Sequence, residues 1–218
     1  MNAFGRPSFV LLSSMLAFGL AACGGGGGDE TPAPTPTPTP LPSPPGVPPL
    51  AAGKIKLQSQ TVGTVNQWPS GDTTTGGQGS PVDGLPCTAP IETYHVHNHL
   101  SIFLNGDQLI VPGQIGIPSC TYTLHTHDPS GEIHIEAAAA GTFTLGQFFH
   151  IWGRPLDRTN IAGNTGLPVT VYVVNEGDTA ASEYTGDLST IELTAHRQVT
   201  IVIGTAITTI PNYDFDGA

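Results

Sequence analysis

Histidines at alternate positions are the feature of this sequence that most restricts its fold. Seven of the eight histidines fall between His95 and His150. Three short segments, residues 94–99, 124–128 and 134–136, place histidines or acidic residues two positions apart. Side chains two positions apart project from one face of a β-strand. The spacing therefore predicts three strands, each with one face that carries metal-ligand residue types.

Turn signals divide this region into short strands. Tyr94–Leu104 is predicted to form a strand, Asn105-Gly106 a hairpin turn, and Gln108–Val111 the partner strand. Asp128-Pro129-Ser130-Gly131 predicts the turn of a second hairpin. The other predicted strands are residues 121–127, 132–136, 169–174, 190–195 and 199–204.

One helix is predicted between the second hairpin and the later strands. Thr144 is a suitable N-cap, and the helix is expected to reach Gly153. Its apolar residues have the spacing of one buried stripe: Leu145, Phe148, Phe149 and Trp152. The elements together predict an α+β domain of roughly 120 residues, with a small, mostly antiparallel sheet and one short helix packed on it. A β-sandwich is the alternative, and the strand order stays open.

The N-terminal segment, residues 1–22, is typical of an export signal. Arg6 is its one charged residue, and the apolar stretch that follows is too short and interrupted to span a membrane as a mature helix. It ends in Leu20-Ala21-Ala22-Cys23, which resembles the lipobox of bacterial lipoproteins. The resemblance implies that Cys23 becomes the lipid-modified first residue, which anchors the chain to the bacterial cell envelope on its periplasmic or surface face.

Composition predicts a stalk between this anchor and the folded domain. Residues 23–49 are rich in Gly and Pro, with ten prolines between Pro32 and Pro49. Such a segment cannot bury a core and is expected to be extended polyproline II, roughly 50–60 Å long at ~3.1 Å per residue. Residues 50–86 are predicted to be a Gly-rich loop or an arm lying over the domain, and residues 87–210 to be the histidine-rich domain.

The charge of the chain favours cationic partners. Lys and Arg number 6 against 17 Asp and Glu, which gives a net charge of −11 and a pI of about 4.8. An acidic chain has no electrostatic attraction for phosphate backbones or anionic lipid surfaces. Nucleic acid is therefore not an expected partner, whereas a metal ion is. The sequence does not indicate a protein partner.

Clustered imidazoles on adjacent strands predict a metal site. Without a cation they would repel one another when protonated below about pH 6. Neighbouring strands lie about 4.8 Å apart, so their side chains can reach one ion at about 2.0–2.1 Å. The alternatives are an anion-binding or proton-sensitive site, a solvent-facing polar surface, and buried imidazoles that bond to one another. The candidate ligands are His97, His99, His125 and His127, followed by His95 and His134.

Three acidic residues are better placed to orient these imidazoles than to bind the ion. Asp128, Glu132 and Glu136 are expected to hydrogen-bond the ligand rings, although Glu136 could coordinate directly. His150 is expected on the helix surface, and His196 in a turn, where it is structural or exposed.

The available donor types narrow the choice of metal. Met1 and Met15, the only methionines, both belong to the predicted signal, so the mature chain offers no thioether. In an oxidising compartment Cys87 and Cys120 are expected to form a disulfide rather than a thiolate site. Imidazole and carboxylate remain, which suit Zn(II), Cu(II), Ni(II) or non-haem iron, with zinc and copper favoured over nickel and iron.

The run from about residue 76 to 153 resembles an uncharacterised family of secreted bacterial and archaeal proteins. The motifs that carry the resemblance stand here at His95–Leu100, Asn105-Gly106, Ile117-Pro118, Leu124–Glu136 and Phe143–Gly153. The resemblance implies that these segments form one domain. It implies no activity or substrate.

Three functions compete for the predicted metal site. The first is a lipoprotein that binds a divalent transition metal for capture, buffering or delivery. The second is a periplasmic metalloenzyme with an open coordination position, and the third is an envelope interaction module with a structural metal. Metal-dependent hydrolase barrels share a His-x-His motif, but roughly 120 residues cannot form eight βα units. Residues 94–97 look locally similar to the copper strand of Cu/Zn superoxide dismutases, without a further match, and a cupin-like enzyme is compatible with the ligand types alone.

Overall fold

The long strand predicted from the histidine spacing lies inside the main sheet. The computed structural model describes residues 46–57, 59–69, 76–117 and 120–215. The predicted signal, Cys23 and residues 23–45 of the predicted linker lie outside the described residues. The described strands are β1 (Ile55–Lys56), β2 (Cys87–Thr88), β3 (Tyr94–Leu104), β4 (Asp107–Leu109), β5 (Thr121–Tyr122), β6 (Leu124–His125), β7 (Glu132–Ala137), β8 (Leu156–Asp157), β9 (Asn160–Ile161), β10 (Asn164–Thr165), β11 (Val169–Val174), β12 (Ser182–Glu183), β13 (Gln198–Ile203) and β14 (Tyr213–Asp214).

One mixed sheet organises the domain. Its strand order is β12-β11-β13-β3-β7-β6, and β4 pairs with the far end of β3. β3 and β13 run parallel, and the other pairs of this sheet are antiparallel. Together with α1 (Leu145–Trp152), the single α-helix of the described residues, and the 3₁₀ turn η1 (Leu188–Thr190), this sheet confirms the predicted α+β fold.

The two faces of the sheet have different environments. Alternate residues of β3, β7 and β13, among them Leu100, Ile133 and Ile201, are buried in the main hydrophobic core with α1. The opposite face carries a small second core at one end, where Phe103 of β3 packs with Val202 and Tyr172. The same face of β3 carries the histidines nearer its start. The period of two in a strand thus separates the candidate ligands from the main core.

The helix begins and ends as its sequence predicts. Thr144 and Gln147 form a reciprocal capping box, and Gly153 closes the helix in the left-handed conformation with φ of 68°. The predicted apolar stripe is buried, and Trp152 meets the ring of Trp68 edge-on at 5.0 Å. Among the described residues, no helix is long and apolar enough to span a membrane.

The described residues before Cys87 pack against the domain in several places. Leu57 and Val62 are buried with Tyr213, and β1 pairs in parallel with β14 near the end of the chain. The backbone N–H of Ile110 donates to the carbonyl of Val65, which ends the predicted second strand at Leu109 instead of Val111. This part of the chain, expected to be loop or arm, therefore contributes core side chains.

The prediction of a strand at residues 190–195 is wrong. The Asp187 side chain accepts the backbone N–H of Ser189 and caps the start of η1. Of the residues predicted to form this strand, Glu192 alone makes a β-bridge, an isolated one with Thr144. Ile191 and Leu193 are nevertheless buried, because this segment lies along the start of α1 and not beside a sheet strand. The alternating apolar pattern indicated burial correctly but not a β-ladder.

The strand predicted at residues 121–127 is divided. β5 pairs with β2, whereas β6 pairs with β7. Two different partners interrupt the ladder at Thr123, whose carbonyl accepts the backbone N–H of Glu136.

Candidate metal centre

Three neighbouring strands present the candidate ligands on one face. In the antiparallel pair of β3 and β7, His97 lies opposite His134, and His95 lies opposite Glu136. β6 adds a third histidine beside His97 and His134, because His125 is paired with His134. Side chains directly opposite each other have Cβ atoms about 4.5–5.5 Å apart. The strand register therefore brings the imidazoles together.

The ring nitrogens of these histidines face one another. His95 Nε2 lies 2.9 Å from His97 Nε2 and 3.3 Å from His134 Nδ1. His125 Nε2 lies 3.3 Å from His127 Nε2. Two donors on one tetrahedral ion with bonds of ~2.1 Å are about 3.4 Å apart. The observed separations are therefore close to those within a coordination sphere.

Glu136 places a carboxylate oxygen among the same nitrogens. Its Oε1 lies 3.5 Å from His125 Nε2, 3.6 Å from His95 Nε2 and 3.8 Å from His127 Nε2. The sequence placed Glu136 beside the ligands and left direct coordination open. The position of Oε1 favours direct coordination.

The candidate donors form two groups that share His134. Within each group every donor atom lies within 4.8 Å of the others. The Glu136 group consists of His125, His127, His134 and Glu136, and the His95 group consists of His95, His97 and His134. Either group could hold a metal ion.

Burial keeps the inner imidazoles neutral. Desolvation lowers the pKa of His97 to about 4, with the neighbouring His95 as the next cause. Desolvation also lowers the pKa of His125 to about 4, although a hydrogen bond to the Tyr122 carbonyl opposes the shift. The pKa of His134 is lowered by burial and then by His97. Neutral imidazole is the form that binds metal ions, so these rings are in ligand form at neutral pH.

One side of the cluster is accessible to solvent. The side chain of His127 is 54% exposed and that of His95 is 35% exposed, whereas that of His125 is fully buried. An ion can therefore enter past His127 and His95 while the inner rings stay shielded from water.

Glu132 is a buried carboxylate beside the inner rings. Its Oε1 lies 3.9 Å from His97 Nδ1, and its Oε2 lies 3.7 Å from His134 Nε2. Among the described residues no group donates a hydrogen bond to Oε1. Burial raises the pKa of Glu132 to about 7, and Asp128 adds to the shift. A cation on the adjacent rings would supply the positive charge that this carboxylate lacks.

Asp128, the third predicted supporting acid, shapes the turn before β7. Its Oδ1 accepts the backbone N–H of Ser130 at 2.9 Å. It contributes to the raised pKa of Glu132 through its charge. It belongs to neither donor group.

His99 lies outside both donor groups, although the spacing placed it among the first candidates. Its Nε2 donates to the Ser130 carbonyl at 2.8 Å, and its ring stacks on Tyr213 with centroids 3.5 Å apart. The Ser101 hydroxyl is 3.4 Å from Nδ1. Burial lowers the pKa of His99 to about 3. This histidine is occupied in holding the turn at Ser130 against the sheet.

The other two histidines of the domain have their own acidic partners. His150 Nδ1 lies 2.5 Å from Asp83 Oδ2 on the exposed side of α1. His196 Nδ1 lies 2.9 Å from Glu176 Oε1. Neither histidine belongs to a donor group.

A disulfide joins Cys87 and Cys120, which confirms the predicted pairing of these two cysteines. It lies beside the antiparallel pair of β2 and β5, in which Cys87 is opposite Tyr122. The Tyr122 carbonyl accepts from His125 Nδ1 at 2.8 Å, which leaves His125 Nε2 as the nitrogen that could bind a metal ion. The sequence could not reveal this orienting contact, because every residue carries a backbone carbonyl.

A largely apolar cavity of about 200 Å³ adjoins the cluster. Its lining includes Ile91, Tyr122 and Phe143, together with Glu136. The same glutamate thus belongs both to a donor group and to the cavity wall.

Comparisons of the chain with protein-family models, with curated proteins and with solved structures found no match.

Proposed function

We propose that this protein binds a divalent transition metal through the histidine cluster and acts in metal capture, buffering or delivery at the bacterial cell envelope. The observation that carries the proposal is the convergence of five imidazoles and the Glu136 carboxylate from adjacent extended segments, with neighbouring donor atoms 2.9–3.8 Å apart and all donors of each group within 4.8 Å. A donor set of imidazole and carboxylate suits Zn(II) or Cu(II) better than Fe or Ni by ligand type and affinity order.

The exposure of His95 and His127 supports reversible binding. A closed structural site is surrounded by protein, whereas this cluster has a side open to solvent. The buried rings of His125 and His97 hold the ion, and the exposed rings exchange it. This asymmetry favours capture or delivery over a purely structural metal.

The lipid anchor at Cys23 and the proline-rich stalk complete the proposal. Together they would hold the domain at a distance from the membrane, where it can meet ions or a partner. The resemblance to secreted bacterial and archaeal proteins is compatible with this location.

The second candidate is a metalloenzyme, which the apolar cavity favours. Catalytic zinc sites combine protein ligands with an open position beside a substrate pocket. The cavity at Ile91 and Phe143 reaches Glu136, so a small apolar molecule bound there would lie beside the ion.

Elemental analysis of the protein purified from its native envelope tests the metal proposal. The preparation should omit a polyhistidine tag, which would itself bind transition metals. We expect zinc or copper in stoichiometric amount, retained after gel filtration. Metal-free protein that also fails to take up added Zn(II) and Cu(II) would contradict the proposal.

Radiolabelled fatty acid tests the anchor separately. Labelled palmitate should be incorporated into the wild-type chain and not into Cys23→Ser, and only the wild type should partition with membranes. Equal partitioning of both proteins would rule out lipidation at this position without affecting the metal proposal.

A further inference from the structure

We infer that the cluster binds two metal ions side by side. The inference rests on the proposed metal function and deepens it. The first reason is the number of donors: six side chains contribute to the two groups, whereas zinc sites in proteins use three or four protein ligands. One tetrahedral ion would leave at least two donors unused at its edge.

The His95 group requires a cation of its own. His95 Nε2 faces three acceptor-capable atoms at 2.9–3.6 Å: His97 Nε2, His134 Nδ1 and Glu136 Oε1. A neutral imidazole has one ring proton, so this nitrogen can donate to only one of them. His97 Nδ1 and His134 Nε2 face the Glu132 carboxylate, and with the ring protons on that side the nitrogens that face His95 carry lone pairs at short distance. A cation among His95, His97 and His134 removes that repulsion.

In the Glu136 group, too, the ring protons are too few for the acceptors that face one another. His125 Nδ1 is bonded to the Tyr122 carbonyl, so the proton of the neutral ring is on Nδ1 and Nε2 carries a lone pair. That lone pair faces Glu136 Oε1 at 3.5 Å and His127 Nε2 at 3.3 Å. The one proton of neutral His127 cannot satisfy both acceptors. A cation bound by His125, His127 and Glu136 does.

Glu136 is placed to bridge the two ions. Its Oε1 is in reach of His125 and His127 in its own group and of His95 in the other. A carboxylate has two oxygens and can bind one ion with each, and two-metal sites have ions about 3.5–4 Å apart. His134, the residue common to both groups, presents Nδ1 to His95 and Nε2 to Glu132, so its one cluster-facing nitrogen can bind one of the two ions.

The buried acids offset the added charge. Glu136 contributes to one group directly, and Glu132 lies beside His97 and His134 of the other. Glu132 Oε1, which has no donor among the described residues, would then accept from the His97 ring. Each group thus has one adjacent carboxylate.

Copper titration of the full chain, stripped of metal and carrying no polyhistidine tag, tests the inference. We expect two Cu(II) ions per chain after gel filtration. The electron paramagnetic resonance signal should rise with the first ion and fall with the second, because two Cu(II) ions about 3.5–4 Å apart couple magnetically. His97→Ala and His127→Ala should each retain one ion. His150→Ala, which changes a histidine outside the cluster, should retain two.

The other outcomes separate the inference from the proposed function. One ion per wild-type chain would overturn the two-ion inference and leave the metal function standing. Two ions with additive signals would also overturn it, because the second ion would lie elsewhere. Absence of binding would overturn the proposed function itself. Circular dichroism checks the fold of each variant, and His95→Ala, at a more exposed position, replaces His97→Ala if that variant is unfolded.

Discussion

The histidines of this domain divide into two sets that differ in their partners. In the first set each ring has an oxygen acceptor: the Ser130 carbonyl for His99, Asp83 for His150 and Glu176 for His196. The five cluster histidines mainly face one another and Glu136. Residue type and alternate spacing are common to both sets on β3, where His97 belongs to one set and His99 to the other.

The two sets differ in what the second ring nitrogen faces. His99 gives its one proton to the Ser130 carbonyl, and its other nitrogen lies near the Ser101 hydroxyl, so this ring is satisfied without a cation. His125 also has a carbonyl acceptor for its proton, but its other nitrogen faces His127 Nε2 and Glu136 Oε1. Imidazoles that place nitrogens 2.9–3.3 Å from other ring nitrogens are not all satisfied by the protons they have. The cluster therefore has the donor arrangement of a site that could hold a metal ion, and His99 lies outside it.

Loss of the disulfide should have the largest effect and should act on the cluster side of the domain. For a loop of this length the bridge contributes about 3–4 kcal/mol to the free energy of unfolding by the loop-entropy estimate. We expect Cys87→Ser/Cys120→Ser to lower the urea midpoint and to weaken metal retention, because β5 and the Tyr122 carbonyl lose their tether. His196 and Glu176 should remain paired, as judged by the His196 NMR signal. Two free thiols in the native protein at these positions would refute the premise.

Removal of the shared ligand should separate the two histidine sets most directly. His134→Ala takes a donor from both groups, and we expect metal affinity to fall by roughly 100-fold or more, about 3 kcal/mol, since even residues that only orient ligands cost 10–100-fold. Isothermal titration with Zn(II) measures the loss. His196→Ala is the matched control and should bind as the wild type does. Equal losses of Zn(II) affinity in both variants would show that the cluster histidines and His196 do not differ in metal binding.

Acid should destabilise the metal-free protein through the buried histidines. An unfolded histidine protonates near 6.5, whereas burial lowers the pKa of His99 to about 3. Between these values the unfolded state binds more protons, so stability falls as the pH drops below about 6.5. At about pH 5 the contribution of one such group is of the order of 2 kcal/mol.

Urea unfolding at several pH values measures this effect. His99→Gln should show a shallower loss of stability with acid than the wild type, because one titrating group is removed. His150→Gln, on the exposed side of α1, should follow the wild-type curve. Glu132 acts in the opposite direction, since its raised pKa of about 7 adds stability as the pH falls toward its unfolded value. If the stability of His99→Gln fell with acid as steeply as that of the wild type, the burial of His99 would not be a cause of the acid sensitivity.

Neutralising the buried acid should have the smallest effect. Glu132→Gln keeps the size of the side chain but removes the charge beside His97 and His134. We expect about a tenfold loss of metal affinity, about 1.4 kcal/mol, with the fold retained. Glu176→Gln, which changes the partner of His196, is the control and should leave metal affinity unchanged. Unaltered affinity in Glu132→Gln would show that this carboxylate does not support the ligand rings.

Much of the fold followed from local patterns in the sequence. The alternation in Tyr94–Leu104 and Val169–Val174 predicted both strands with their observed bounds, because a period of two is specific for a half-buried strand. Thr144 and Gly153 likewise marked the ends of α1, since caps depend on neighbouring residues only. The pattern was misleading at residues 190–195, where burial against α1 replaced strand pairing.

What the sequence determined by itself is the inventory: imidazoles and carboxylates in the period of a strand, and two cysteines suited to a disulfide. The tertiary structure decided which of them meet. His97 and His99 are equivalent by spacing, but the register of β3 with β7 puts His97 opposite His134, whereas His99 reaches the Ser130 carbonyl. Register and ring orientation depend on contacts between distant segments, so no local pattern in the chain can specify them.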